Sequence, residues 1–173
     1  MPLTDVVITP AETQADVAEV VTLCWAYRDF LMRLTPQDRE ITQAFYPEKK
    51  YSALMQNLAT AHARPNGIIL LARTAEGMPV GCGMSHALRT DVSEIKRVFV
   101  TEQARGQGIA QRLCTALLDQ ARADGFRRVM LDTSVSLIDA QKLYMRLGFQ
   151  RRGPYQDIPA ELLPHLVFYE RVL

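Results

Sequence analysis

The period of the apolar positions changes repeatedly along the chain, and each change marks an element. Val6-Val7-Ile8 is a short apolar run ended by Pro10, as expected of a strand. From Ala15 to about Leu34, Val17, Val20, Val21, Cys24, Tyr27 and Leu31 recur at three- and four-residue intervals. That is the stripe of an amphipathic helix, with Thr9 or Thr13 available to cap it. Gln37 to Phe45 is polar and irregular, with room for a helical turn, and Tyr51, Leu54, Met55 and Leu58 mark a second helix. The run Ile68 to Ala72, the loop Ala75 to Pro79 and the run Val80 to Leu88 form a hairpin; Gly81 and Gly83 in its return strand predict a bulge or a close backbone approach. Glu94 to Val100 is the next strand, and a helix begins near Ile109 with a stripe of Ile109, Leu113, Ala116 and Leu117, closed by Gly125. Arg128 to Asp132 is a strand. Ser136 and Asp139 have capping-box spacing ahead of a helix carrying Ala140, Leu143, Tyr144 and Leu147, which Gly148 stops. Phe149 to Arg152 and Leu166 to Arg171 close the sequence as strands. This order predicts an α/β fold on a mixed sheet, and with no repeat or linker residues 1–173 read as one domain.

The stretch Ser93 to Ala123 is where chemistry concentrates. A strand feeds a helix through Gln103-Ala104-Arg105-Gly106-Gln107-Gly108. Two glycines there let backbone N–H groups point outward together, and the positive end of the helix macrodipole adds about half a charge. Such a turn binds phosphate. A dinucleotide fingerprint would need glycine where Gln111 stands, and an NTPase loop would need Gly-Lys-Ser/Thr; neither is present. Gly83-Met84-Ser85-His86-Ala87 imitates a nucleophile elbow but lacks its last glycine and lies in a hairpin.

Composition narrows the function classes. A net charge of +1 argues neither for nucleic acid nor for an acidic partner, and neither is expected, although several arginines, Arg105 and Arg112 among them, suit a polyphosphate. Three widely spaced cysteines (Cys24, Cys82, Cys114) fit buried, reduced thiols in a cytoplasmic protein rather than a disulfide framework. The three histidines have no metal-ligand spacing, the N-terminus is unlike a signal peptide, and no apolar run approaches the ~20 residues of a membrane span.

The turn has the pattern Gln/Arg-x-x-Gly-x-Gly/Ala, met by Gln103, Gly106 and Gly108, and Ala140 to Phe149 reads Ala-x-x-Leu-Tyr-x-x-x-Gly-Phe. With both segments in this order, the chain resembles the GCN5-related N-acetyltransferase (GNAT) superfamily. The resemblance implies a mixed, mostly antiparallel sheet of six or seven strands, about four flanking helices, and central strands that splay apart. It implies acetyl-coenzyme A as cofactor, its pyrophosphate held by Gln103, Arg105, Gly106, Gln107, Gly108, Ile109 and Ala110. Backbone around Val98, Phe99 and Val100 would meet the thioester carbonyl, with Ala140, Leu143 and Tyr144 on the opposite side. Many members carry Asn three residues before that Ala; here Leu137 stands there, so a contact made from that position is in question.

Acyl transfer to an amine needs the neutral amine, and at pH 7 only about one lysine-like amine in two thousand is neutral. A base must take the proton and an acid should protonate the departing thiolate. By resemblance, Glu94 is the base, competing with a plain strand-end carboxylate paired to Lys96 or Arg97, and Tyr144 is the acid. The acceptor pocket is expected between the Asp29–Tyr51 region and the Tyr155–His165 loop, whose Asp38, Glu40, Tyr46, Tyr155, Asp157 and Glu161 suit a cationic amine. The reading is an N-acetyltransferase acting on a small-molecule primary amine. A protein lysine or N-terminal acceptor, and a cofactor-binding module without turnover, are the alternatives. Relatives of this kind often pair, which allows a homodimer.

Overall fold

The computed structural model describes residues 5–173. Seven strands form one sheet: β1 (Val7–Pro10), β2 (Ile68–Arg73), β3 (Pro79–Arg89), β4 (Val92–Val100), β5 (Arg128–Ser134), β6 (Gln150–Arg152) and β7 (Leu166–Val172). Their order is β1-β2-β3-β4-β5-β7-β6, and every neighbouring pair is antiparallel except β4 and β5. The helices are α1 (Gln14–Met32), α2 (Pro36–Phe45), α3 (Glu48–Gln56), the single turn α4 (Leu58–Ala61), α5 (Ile109–Ala123) and α6 (Ile138–Arg146). The expected fold is therefore present, with the weakly patterned Gln37–Phe45 segment a full helix and the second helix divided at Asn57. Among the described residues no helix is long and apolar enough to cross a membrane.

Local chemistry accounts for the starts of α1 and α2. Thr13 caps α1 in a capping box: its Oγ1 accepts from the Asp16 N–H at 3.0 Å, and Asp16 accepts in return from the Thr13 N–H at 3.1 Å. Thr35 caps α2 without the reciprocal half: its Oγ1 accepts from the Asp38 N–H at 3.0 Å, and Pro36 stands in the first turn, where a missing N–H costs nothing. The expected box at Ser136 does not form. Helix α6 starts two residues later, at Ile138, without a side-chain cap. The Ser136 N–H instead donates to the Ser134 hydroxyl, which itself donates to Asp38 on α2, so a long-range polar contact outcompetes the local cap.

Two cores sandwich the sheet. On one face Leu113, Leu117 and Tyr169 are fully buried with Leu131 and Leu143, while on the other Val20, Leu58, Leu71 and Met84 pack beneath α1, α3 and α4. The glycines of β3 prove to be places of close approach. A Cβ on Gly81 would stand 3.1 Å from the Phe99 carbonyl and 3.4 Å from Leu113, and one on Gly83 would stand 3.2 Å from Leu117. Helix α5 is thus seated low on the sheet, which aims its N-terminus past the end of β4.

Strand β4 is not regular. Cys82 pairs with Phe99 and Met84 with Lys96, so β4 advances three residues where β3 advances two. The extra residue is a bulge at Arg97, whose φ of +52° is a left-handed conformation few arginines adopt. The bulge switches the strand's faces. Ile95 packs in the α5 core, but beyond the bulge Val98 and Val100 take that side and Phe99 turns toward α1. Glu94 and Val100, on one face in a regular strand, lie on opposite faces here.

Candidate active site

Strands β4 and β5 pair only across Val92–Arg128, Ser93–Val129 and Glu94–Met130, then diverge. The splay opens a groove of about 580 Å³, lined by Val98, Phe99 and Val100 on one side and Ala140, Leu143 and Tyr144 on the other. Arg105, Gly106, Gly108, Ile109 and Ala110 line its end. Gly106 and Gly108 both have φ of +76°, and a Cβ on either would meet nothing within 4 Å, so open space lies where a ligand would approach the backbone. No side chain caps α5, whose first N–H groups have no partner within the helix. Arg105 sits beside this turn with its guanidinium 4.6 Å from the Phe30 ring centre and its Nε donating to the Val100 carbonyl. A helix N-terminus, an exposed turn backbone and a cation suit the pyrophosphate of coenzyme A, and the long groove suits its pantetheine arm.

A second cavity, of about 150 Å³, meets the groove at Tyr27, Val98, Thr133, Leu137 and Tyr144. Tyr144 therefore stands at the junction, where an acyl group carried along the groove would reach an acceptor. Burial pushes its phenol well above the ordinary range, so the hydroxyl stays protonated and able to donate. Phe45, Tyr46 and Tyr51 also line the cavity.

Glu94 lies at the bottom, only 1% exposed. Its Oε1 accepts from His86 Nε2 at 2.7 Å and has Lys96 Nζ at 3.6 Å. Its Oε2 accepts from the Tyr155 hydroxyl at 2.6 Å and the Gln156 amide at 2.8 Å. Burial opposes the charge, but His86, Lys96 and Tyr155 outweigh it and hold the carboxyl below its ordinary value. Asp132, on β5, is the second carboxylate of the cavity. Burial pushes its pKa up, offset in part by Lys96 and reinforced by Glu94. Lys96 is subject to the converse balance: burial would lower it, yet Tyr46, Glu94 and Asp132 keep its ammonium above the usual range.

The structure brings together most residues expected from the sequence. Val98, Phe99, Val100, Arg105, Gly106, Gly108, Ile109, Ala110, Ala140, Leu143 and Tyr144 share the groove, and Glu94 shares the adjoining cavity with Tyr144. Gln103 and Gln107 do not line the groove; the Gln107 amide donates to the Gln103 carbonyl at 3.4 Å. Leu137 lines groove and cavity alike. Of the expected acceptor residues, Asp38 and Tyr46 line the cavity and Tyr155 holds Glu94, whereas Glu40, Asp157 and Glu161 are exposed. Glu94 is not the exposed strand-end carboxylate of the competing expectation, although Lys96 does stand near it. Sequence reasoning missed Arg97, Asp132 and Gln156 as cavity residues. Alternation along β4 points to Lys96 beside Glu94, but nothing local announces the bulge that turns Arg97 to the same cavity.

Residues 30–149 match the model of the acetyltransferase (GNAT) family. A protein named IAA acetyltransferase from Azospirillum brasilense is 36% identical over 120 residues, 68% of this chain and 74% of that one. The fold superposes with a TM-score of 0.69 on a protein named putative acyl-CoA N-acyltransferase from Klebsiella pneumoniae, 26% identical with 97% of each chain covered. It also matches a GCN5-related N-acetyltransferase from Kribbella flavida, with a TM-score of 0.72, 22% identity, and 97% and 98% coverage. The chain belongs to the acetyltransferase (GNAT) family and is an acyl-coenzyme A-dependent N-acetyltransferase.

Proposed function

We propose that the donor is acetyl-coenzyme A and that the acceptor is the primary amine of a small molecule. One observation carries the acceptor reading: the cavity beside Tyr144 encloses about 150 Å³, walled by β4, β5, α2 and the segment around Gln156 and Ile158. A space of that size holds a molecule of about benzene's bulk. The resident groups suit an amine, because Glu94 and Asp132 supply negative charge at its floor. The chain would work as one domain in the cytoplasm, a setting in keeping with the buried free thiols of Cys24, Cys82 and Cys114.

The cofactor supplies an acetyl thioester. Backbone of Val98 to Val100 aligns it, and the α5 turn holds its phosphates. Glu94, ionised at neutral pH, takes the ammonium proton through Tyr155 or a water. Tyr144 then provides a proton from its hydroxyl for the leaving sulfur. Each proton transfer of this kind is typically worth 10²- to 10⁴-fold.

The test is a screen of small primary amines and short lysine peptides with acetyl-coenzyme A, reading out free thiol. Small amines should turn over and Tyr144→Phe should lower kcat more than it raises the cofactor KM. Turnover confined to peptides would refute the acceptor reading, and an unchanged kcat in Tyr144→Phe would return that ring to the core.

A further inference from the structure

The cavity holds more charge than an amine alone requires. Its cations are Arg28, Lys96 and Arg97, and its carboxylates are Asp38, Glu94 and Asp132. Most are matched. Asp38 accepts from the hydroxyls of Ser134 and Thr35, with 2.6 Å to Thr35, and Lys96 stands over Glu94. Arg28 donates from Nε to the Tyr46 carbonyl at 3.0 Å. Four of these charges, Arg28, Asp38, Arg97 and Asp132, enter none of the ion pairs among the described residues. Arg28 and Asp38 are satisfied by neutral groups, the Arg97 fork is not, and Lys96 acts on Asp132 from beyond ion-pair distance.

Arg97 is also held with care. The bulge places it in a left-handed conformation at φ +52° and brings it to the same cavity as Lys96. Its guanidinium lies 5.8 Å from the ring centre of Tyr46 and 5.9 Å from that of Tyr51, and Nη1 reaches only the Met84 sulfur, at 3.8 Å. Two rings orient the planar fork without using up its capacity for a carboxylate. A half-buried guanidinium in no ion pair, lining the same cavity as a carboxylate in none, is complementary to a molecule bearing both charges.

We propose that the acceptor is amino-acid-like, a primary amine with a carboxylate a few bonds away, and that Arg97 determines this specificity by pairing with the carboxylate. Asp132 and Glu94 are left to face the amine. The inference rests on the small-amine reading above and deepens it.

The test compares three acceptors with one side chain: alanine, alaninamide and ethylamine, then the same panel built on valine. In the parent enzyme the amino acid should exceed its amide and its decarboxylated amine by roughly 10- to 100-fold in kcat/KM, the scale of a charge-assisted hydrogen bond. Arg97→Asn removes the cation but keeps a residue tolerant of the left-handed conformation. It should erase that ratio by slowing the amino acid alone, with acetyl-coenzyme A affinity and Tm near those of the parent. Arg97→Lys should restore part of the ratio. Amides and plain amines that react as well as the amino acids would overturn this inference while leaving the small-amine reading intact. An Arg97→Asn enzyme slowed equally on all three would also overturn it. Failure of every small amine beside turnover of a lysine peptide would overturn both.

Discussion

Replacing Glu94 with glutamine separates the base from the shape of the site. The carboxylate accepts from His86, Tyr155 and Gln156 at 2.6–2.8 Å and has Lys96 at 3.6 Å. Glutamine keeps one oxygen as acceptor and turns the other position into a donor that confronts the Gln156 amide. Breaking a buried ion pair outright costs about 3–5 kcal/mol. Here one acceptor survives and Lys96 retains Asp132 nearby, so a loss of about 1–3 kcal/mol is expected, the scale of one unsatisfied buried group. The stabilising charge is present above pH 4.5, the ordinary carboxyl value, because the folded pKa is lowered. As pH falls below that value the parent loses what the variant never had, and their stabilities converge.

The catalytic effect should have the opposite pH dependence. Without a base the rate follows the neutral amine, which for a lysine-like group rises about tenfold per pH unit between pH 7 and 9. The parent, its base already ionised throughout, should be much flatter. A deficit in kcat/KM of about 10²-fold at pH 7 should therefore shrink toward parity near pH 9. Thiol release measured from pH 6 to 9 with saturating acetyl-coenzyme A decides the matter. Full activity of Glu94→Gln over that range would refute the role and shift attention to Asp132, since Asp157 is exposed. A deficit of constant depth would mean that Glu94 only positions the acceptor.

Two further outcomes follow from local geometry. Gly108→Val forces a β-branched residue to φ +76°, at a cost of roughly 1–2 kcal/mol in stability, but its side chain fills the space open to phosphate, so coenzyme A affinity by calorimetry should fall much further than Tm. Equal affinity would reduce the turn to a structural link. Burial holds His62 neutral down to a pKa of about 4, from an ordinary 6.5, with its Nδ1 at 2.8 Å from the Ser85 carbonyl. The unfolded chain takes up this proton first, so stability drains as pH falls from 6.5 toward 4, by about 2 kcal/mol at pH 5. Urea unfolding at pH 7.5 and 5.0 should show that extra loss in the parent and not in His62→Gln; identical losses would contradict it.

Interactions that close over a few residues were readable in the sequence. Thr13 caps α1 through a contact three residues away, the turn at Gly106 and Gly108 needs backbone that glycine alone adopts freely, and the stripe of α5 fits one buried face. With the second segment around Tyr144, the turn carries the resemblance that implied the mixed sheet and its splayed central strands. The resemblance located the acceptor cavity between α2 and the loop before β7, but how its charged groups pair was not readable, because they meet across long stretches of chain. Glu94 meets Tyr155 and Gln156 across 61 and 62 residues, and Ser134 meets Asp38 across 96. No periodicity encodes such pairs; they arise only when the loop before β7 and helix α2 close over the splayed strands. The bulge at Arg97 belongs with them. A strand pattern has a period of two until a neighbouring strand imposes a different register, and here pairing with β3 decided which face of β4 the arginine shows.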